Sequence, residues 1–231
     1  YSGDPSTGSV EIDRFKNATI NDLGTARTGG KGDQVKNTGK VTINVDTDKE
    51  IVEEIAKKDI KLYGITGIAE KRKANHIKRM IAYLDTQFFA KAEAEGTEIT
   101  PTVNAKTIAE KLEELIVSVE TTVNDWVDGV DRDMLVVTVT PTVYSQLLNY
   151  IDSVPNSVTG LTDEYFHKVR IYSNHRQTKS MICMIDGAVG QLVTTDEYDA
   201  EKIPLSNDIA LELFFSKGTK AVMPYLIKFV A

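Results

Sequence analysis

Disulfide chemistry is the first thing this chain lacks the means for, since Cys183 is the only cysteine in 231 residues. One thiol closes no internal bridge, so a disulfide scaffold is excluded and folding in a reducing cytoplasm fits. Long apolar runs are also missing. No stretch approaches the ~20 residues that span a bilayer. No signal peptide is expected ahead of the first strand, and the opening at Tyr1 rather than Met leaves a cleaved and an omitted upstream segment equally open. Histidine is scarce: His76, His167 and His175 are far apart, and none has a partner at metal-ligand spacing. Basic residues are outnumbered 27 to 34, for a net charge of -7. That balance argues against a protein whose main task is to grip nucleic acid through phosphate contacts. With these removed, what remains is an ordinary soluble composition, 41% hydrophobic and 26% charged, with material for one large or two small domains around a buried core.

The clearest periodicity lies in residues 66–96, TGIAEKRKANHIKRMIAYLDTQFFAKAEAEG. Ile77, Ile81, Leu84 and Phe88 follow one another at helical spacing, and Ala74, Met80, Phe89 and Ala92 widen the band, so one face is apolar. This predicts a single helix capped by Thr66 and ended by Gly96 in the left-handed conformation. At the usual rise it is roughly 45 Å long, the length of a spine. Its Lys71, Arg72, Lys73, Lys78 and Arg79 form a basic segment in an acidic protein. A solvated face with intrahelical pairs such as Glu70 to Lys73 is the expectation, ahead of a surface that meets an acidic partner or the acidic side of another copy. His76 is expected on that solvated side.

Upstream, residues 1–9 are small and polar. Alternation predicts strands near 9–16, 18–22 and 40–46. Between them GTARTGGKGDQVKNTGK has five glycines and almost no apolar residues, too little to pack on a core of its own. It should project as an arm, and an exposed β-arm is a liability unless another subunit covers it. Residues 48–62, DKEIVEEIAKKDIKL, favour helix by propensity, whereas a strand would also place Ile51 and Ile55 on one face. Downstream the pattern predicts a helix near 105–124 with Ile108, Ala109, Leu112, Leu115, Ile116, Val119 and Val123 buried. A core strand at 134–140 and a helix opening at Thr140 and Pro141 follow. After a loop at 155–160, strands are expected at 168–174 and on both sides of a hairpin dipeptide, Asp186-Gly187, within 181–195. Further strands are expected at 207–216 and 220–229. Mixed segments without βαβ repetition indicate α+β.

Candidate chemistry fails residue by residue. In GTARTGGKG, Gly24 and Gly29 have phosphate-loop spacing, but Gly30 stands where lysine is needed and Lys31 where a hydroxyl should hold magnesium. In NDWVDGVDRD the acids Asp125, Asp128, Asp131 and Asp133 suggest calcium. Aligning Gly129 with the required glycine puts Trp126 at a ligand position and Leu135 at the bidentate one, so a polar turn closing the preceding helix is the better reading. Cys183 sits among Met181, Ile182, Met184 and Ile185 as a small buried hydrophobe. No serine has the strand-turn-helix elbow of a hydrolase. No catalytic, cofactor-binding or metal-binding residue is assigned.

The order of elements, with NATINDLG, KVTINVDTDKEIVEEIAKKDIKLYG and AYLDTQFFAKAEAEG (Asp85 in its "LD" context), resembles the major capsid proteins of tailed bacteriophages, whose fold is shared with encapsulin shells. DRDMLVVTVTPTVYSQLLN, FHKVRIYSN, SMICMIDGAVG and DIALELFFSKGTKAVMPYLIKFV are similar to the successive strands and helix of that family. The resemblance implies a flexible N-terminal arm (1–9), an extended β-arm or E-loop (10–47) and a peripheral domain with the spine helix (48–103). It further implies an axial domain (104–204), a peripheral-domain strand (205–218) and an axial closing strand (219–231). By this likeness residues 48–60 are extended rather than helical. It implies a virion shell subunit, assembled in the host cytoplasm through hexamers and pentamers around double-stranded DNA without sequence-specific binding. Other copies are its partners, with scaffold, portal and decoration proteins as further candidates, and neither membrane nor cofactor is involved. Arg27, Lys31, Asp33 and Lys36 at the arm tip are the candidate intersubunit contacts. Alternatives are an encapsulin-like compartment, an enzyme with its site in residues 105–200, and an adhesion or tail-tube module.

Overall fold

The computed structural model describes residues 2–20, 22, 39–63, 65–102, 107–153, 165–196, 198–204, 206 and 208–231. In chain order its elements are β1 (Ser2–Asp4), β2 (Ser9–Ile12), β3 (Val41–Asn44), β4 (Thr47–Ile55), α1 (Lys57–Tyr63), α2 (Ile65–Glu95) and β5 (Thr97–Glu98). Next come α3 (Ile108–Glu120), β6 (Val123–Asn124), β7 (Val127–Asp128), β8 (Leu135–Val139), α4 (Pro141–Ser153), β9 (Tyr165–Phe166) and β10 (Val169–Ser173). The chain continues through β11 (Met181–Ile185), β12 (Val189–Thr195), β13 (Asp199–Lys202), β14 (Ile209–Ala221) and β15 (Ile227–Val230). Two sheets dominate this α+β fold. One has the order β5-β15-β11-β8-β10-β9; the other is β12-β14-β13, with β4 paired along β14. A small sheet, β1-β2-β3, and a two-stranded hairpin, β6-β7, complete it.

The core follows from β11. Its residues are buried on both faces, and alternation sends them to different neighbours. Met181 and Cys183 join Leu112, Leu115, Ile116 and Val119 of α3, together with Val137 and Leu147. Ile182 and Met184 join Phe89 and Ala92 of α2 and Ile227 and Phe229 of β15. Burying each such side chain contributes about 1.5–3 kcal/mol. Inside this core, burial pushes the Cys183 thiol up to about 12, so it is a packed hydrophobe and not a nucleophile. α3 starts with a complete capping box: Thr107 Oγ1 accepts from Glu110 N at 3.2 Å, and Glu110 Oε2 accepts from Thr107 N at 2.7 Å.

The spine is α2, one unbroken helix of 31 residues. Its last turns pack on the β11 sheet, and its earlier and middle turns lie against β14 and β4, where Tyr83 meets Phe215 edge to face at 6.0 Å between centroids. Lys217 of β14 is buried between these layers. Burial holds its ammonium below the usual range, while Gln87 Oε1 accepts from Nζ at 3.2 Å and the Tyr83 ring lies 5.4 Å away.

Several local expectations change in the fold. Residues 47–55 are a strand and 57–63 a helix, because β14 offers a ladder partner as far as Ile55 and none beyond. Strand structure ends at Ile12, and residues 13–20 and 22 have none. Asp186-Gly187 does turn the chain, with Gly187 at φ +80°. It does not make a hairpin: β11 pairs with β8 and β15, whereas β12 pairs with β14, so the turn passes the chain from one sheet to the other. The expected strands at 207–216 and 220–229 are redivided, with β14 running on to Ala221 and a 3-10 turn at Pro224–Leu226 preceding β15. Val123 leaves the α3 stripe for β6 and is 68% exposed. α2 starts at Ile65 rather than being capped by Thr66, and Gly96 is not left-handed. Gly96 is needed for proximity instead, since a Cβ there would lie 2.6 Å from Ala92 O and 2.8 Å from Ile227 Cγ2. The loop at 155–160 lies outside the described residues.

Gly218 holds the tightest backbone approach, since any Cβ would run into the Asn44 carbonyl where β3 crosses β14. Gly218→Ala is expected to cost about 1–3 kcal/mol, the usual range for overpacking, and thermal unfolding followed by circular dichroism measures it. An unchanged Tm would contradict the close approach.

Candidate assembly surfaces

Residues 13–17 and residues 39–40 are held by one hairpin, β6-β7. The guanidinium of Arg14 lies 4.8 Å from the centroid of the Trp126 ring, and Lys16 Nζ lies 5.6 Å from it. Arg14 also donates from Nε to Gly39 O at 2.9 Å and from NH1 to Val222 O at 2.9 Å. Lys16 pairs with Asp125, and Asn17 N donates to Asp125 O at 2.9 Å. Gly39 fits only as glycine, because a Cβ would come within 2.7 Å of the Trp126 ring. Asn124 Oδ1 shapes the hairpin by accepting from Trp126 N at 2.8 Å and Val127 N at 3.0 Å. The NDWVDGVDRD stretch is thus a clamp on residues 14–17 and Gly39, and it also closes α3, since Val130 N donates to Glu120 O at 3.0 Å.

A second cluster fastens the N-terminal half of α2. His76, expected at the surface, is only 1% exposed. Its Nδ1 is 3.2 Å from Tyr198 Oη, and its Nε2 is 2.8 Å from Glu53 Oε2 of β4, although without the alignment of a full hydrogen bond. Arg72 grips the same Glu53 carboxylate with two nitrogens, and Lys73 Nζ lies 5.4 Å from the Tyr198 ring. The Arg72 bonds hold Glu53 below the usual carboxylate range. Arg132 does the same for Glu120, bonding Oε1 at 2.9 Å and Oε2 at 2.7 Å. Farther along α2, Asp85 accepts from Arg176 NH1 at 3.2 Å.

These attachments leave two broad surfaces of opposite character. Along β4 and β14, alternate residues face away from α2: Val52 stands opposite Glu212, Glu50 opposite Phe214 and Asp48 opposite Ser216. Asp48, Glu50 and Glu54 are exposed there, with Asp196 beside them, around the apolar Val52 (50% exposed) and Phe214 (36%). On the free side of α2, Ile77 and Ile81 are 37% and 50% exposed, so the predicted apolar stripe is buried only from Leu84 onward. Lys71, Lys78 and Arg79 are exposed and make no ion pair with another described residue. Of the basic segment, Arg72 alone is in a salt bridge, and its partner is Glu53 rather than an intrahelical acid.

The candidate contacts Arg27, Lys31, Asp33 and Lys36, and the phosphate-loop stretch 24–32, lie outside the described residues. What the structure adds lies on either side of that stretch: Arg14, Gly39 and Trp126 come together from distant parts of the chain. Among the described residues no group of three His, Cys, Asp or Glu is placed to hold a metal, and no helix is long and apolar enough to cross a membrane.

No family model and no curated protein sequence matches the chain. Solved structures do. A chain from Mycobacterium phage Che8 is similar with a TM-score of 0.71 at 15% identity, over 96% of this chain and 84% of that one. A chain from the capsid of the Cyanophage P-SCSP1u gives 0.65 at 13% identity over 96% and 83%. A virus-like particle from Pyrococcus furiosus gives 0.61 at 10% identity over 97% and 86%. The chain has the fold of tailed-phage major capsid proteins, which a virus-like particle of archaeal origin shares.

Two predictions follow from the clamps. Arg14→Ala should red-shift the emission of the lone Trp126 and destabilise by about 1–2 kcal/mol, leaving far-UV circular dichroism intact. An unshifted spectrum would argue against the ring contact. Glu53 and Glu120 titrate below their ordinary 4.5. Their stabilisation is therefore fully present above about pH 4.5 and is lost as the pH falls through the lower folded values. Denaturant midpoints measured from pH 6 to pH 3 should fall more steeply for the wild type than for Glu53→Gln/Glu120→Gln, and parallel curves would contradict this.

Proposed function

We propose that this chain is a structural shell subunit, a major capsid protein that assembles through hexamers and pentamers into a closed icosahedral wall around double-stranded DNA. The observation that carries this reading is the likeness to phage capsid chains along 96% of its length. In this reading α3, α4 and the β11 sheet form the axial domain lining the symmetry axes, and α2 with β4 and β14 forms the peripheral domain. Residues 10–47 are the arm that overlaps the adjacent subunit, with Arg27, Lys31, Asp33 and Lys36 making the contacts. Charge supports that docking. The stretch 24–38 has Arg27, Lys31 and Lys36 against Asp33 alone, and the exposed side of β4 and β14 offers Asp48, Glu50 and Glu54 around Val52 and Phe214. Repeated weak contacts of this kind add up through multivalency. The protein then works by geometry, with no catalytic step and no cofactor, in the virion after assembly in the host cytoplasm.

An encapsulin-like compartment is the second reading, favoured by the similarity to the Pyrococcus furiosus particle. What copurifies with the particles separates the two: nuclease-sensitive DNA or a protein cargo.

Negative-stain microscopy of the purified full chain is expected to show closed shells. Deleting residues 25–38 is expected to abolish them while the remaining protein keeps its circular dichroism and cooperative melt. Normal particles from the deletion, or monomers, rings or fibres from the wild type, would overturn the assignment.

A further inference from the structure

One isoleucine is left almost wholly in water. Ile20 is 98% exposed. It lies three residues beyond Asn17, whose N donates to Asp125 O at 2.9 Å, and residues 18–20 have no strand structure. Ala18, two positions before it, is exposed as well. The chain thus fixes Asn17 and gives the isoleucine beyond it nothing to pack on. A matching deficit occurs on the outward side of β4 and β14. Val52 stands opposite Glu212 and Phe214 opposite Glu50, so the two apolar residues are diagonal neighbours on one face, 50% and 36% exposed. Acids surround them: Asp48, Glu50 and Asp196 by Phe214, and Glu54 two positions from Val52 on the same face.

We propose that Ile20 of one copy seats between Val52 and Phe214 of a second copy, as the apolar anchor of the contact between them. This rests on the shell reading above and deepens it from charge attraction to a named side chain and its socket. An apolar centre inside a charged rim is the usual anatomy of a specific contact, in which the rim guides the approach and the buried anchor sets the lifetime. The occupant is another copy because Ile20, Val52 and Phe214 are all open to solvent within one chain. It is also a segment of suitable charge, since Ile20 is followed by Arg27, Lys31 and Lys36 against an acidic rim. Each copy gives one isoleucine and offers one socket, so the contact is head to tail and repeats from copy to copy.

The test begins with particles assembled from full chains carrying Ile20→Cys/Phe214→Cys. Cys183, the only native cysteine, is fully buried and takes no part. Mild oxidation of the particles should yield a ladder of disulfide-linked dimers and higher multimers on a non-reducing gel, because each copy gives one cysteine and receives another. Neither single-cysteine variant should form a ladder. Closed shells that give no ladder, or a disulfide formed within one chain, overturn the inference. A second measurement needs no cross-link. Ile20→Asp should keep the wild-type circular dichroism, since the residue is exposed, yet raise the protein concentration needed to close shells by about tenfold or more, the factor that one unburied isoleucine implies. Ile20→Lys, whose charge suits the acidic rim, should raise it less than Ile20→Asp does. An unchanged threshold in Ile20→Asp, or a lysine that does worse than the aspartate, also overturns it. Wild-type protein that builds no shells sinks the parent reading instead.

Discussion

A helix of 31 residues cannot be covered by one sheet of ordinary strands, and the molecule is built around that excess. The last turns of α2 lie on the β11 sheet through Phe89 and Ala92. The earlier turns lie against β14 and β4, held by the Tyr83–Phe215 contact and by the Glu53 carboxylate. Each half supplies burial that the other half's sheet cannot reach, so one element fixes the position of both sheets. Because the free side of the helix needs no partner within the chain, it stays open, and so does the outward side of β4 and β14.

The arm is governed by a different economy. The stretches on either side of residues 23–38 are both seized at one place. Trp126 receives a guanidinium on its ring and a glycine at its edge, and Arg14 reaches Val222 at the close of β14. The positions of residues 14–17 and of Gly39 are thus decided by the compact part of the fold. In the shell proposed above, an arm fixed at both ends in this way would lose less entropy on docking.

How much of this could be read from the sequence depended on whether the deciding contact was local. The C-terminal half of α2, the stripe of α3 and the doubly buried β11 were legible because Phe89, Leu112 and Ile182 follow periodicities that survive in the fold. The N-terminal half of α2 was misread. There Ile77 and Ile81 point outward and His76 inward, because the histidine's polar partners, Glu53 and Tyr198, come from a strand upstream and from a residue 122 positions downstream. Local pattern cannot report such partners. Asp186-Gly187 gave the correct backbone turn but the wrong pairing, since φ is a property of the dipeptide and strand partners are a property of the sheet. The root of the arm was invisible for the same reason: nothing near Trp126 announces Arg14 or Gly39.

The passage between the two sheets has one more implication. The chain crosses from one to the other at residues 185–189 and returns at 221–227, and the crossings are tied to each other, since Ala188 O accepts from Val222 N at 2.8 Å and from Met223 N at 3.1 Å. With α2 laid across both sheets as well, there is no slack at the seam, and the two sheets move as one body. In the shell proposed above, whatever angular difference curvature demands between one copy and the next would have to be absorbed at the joints between copies.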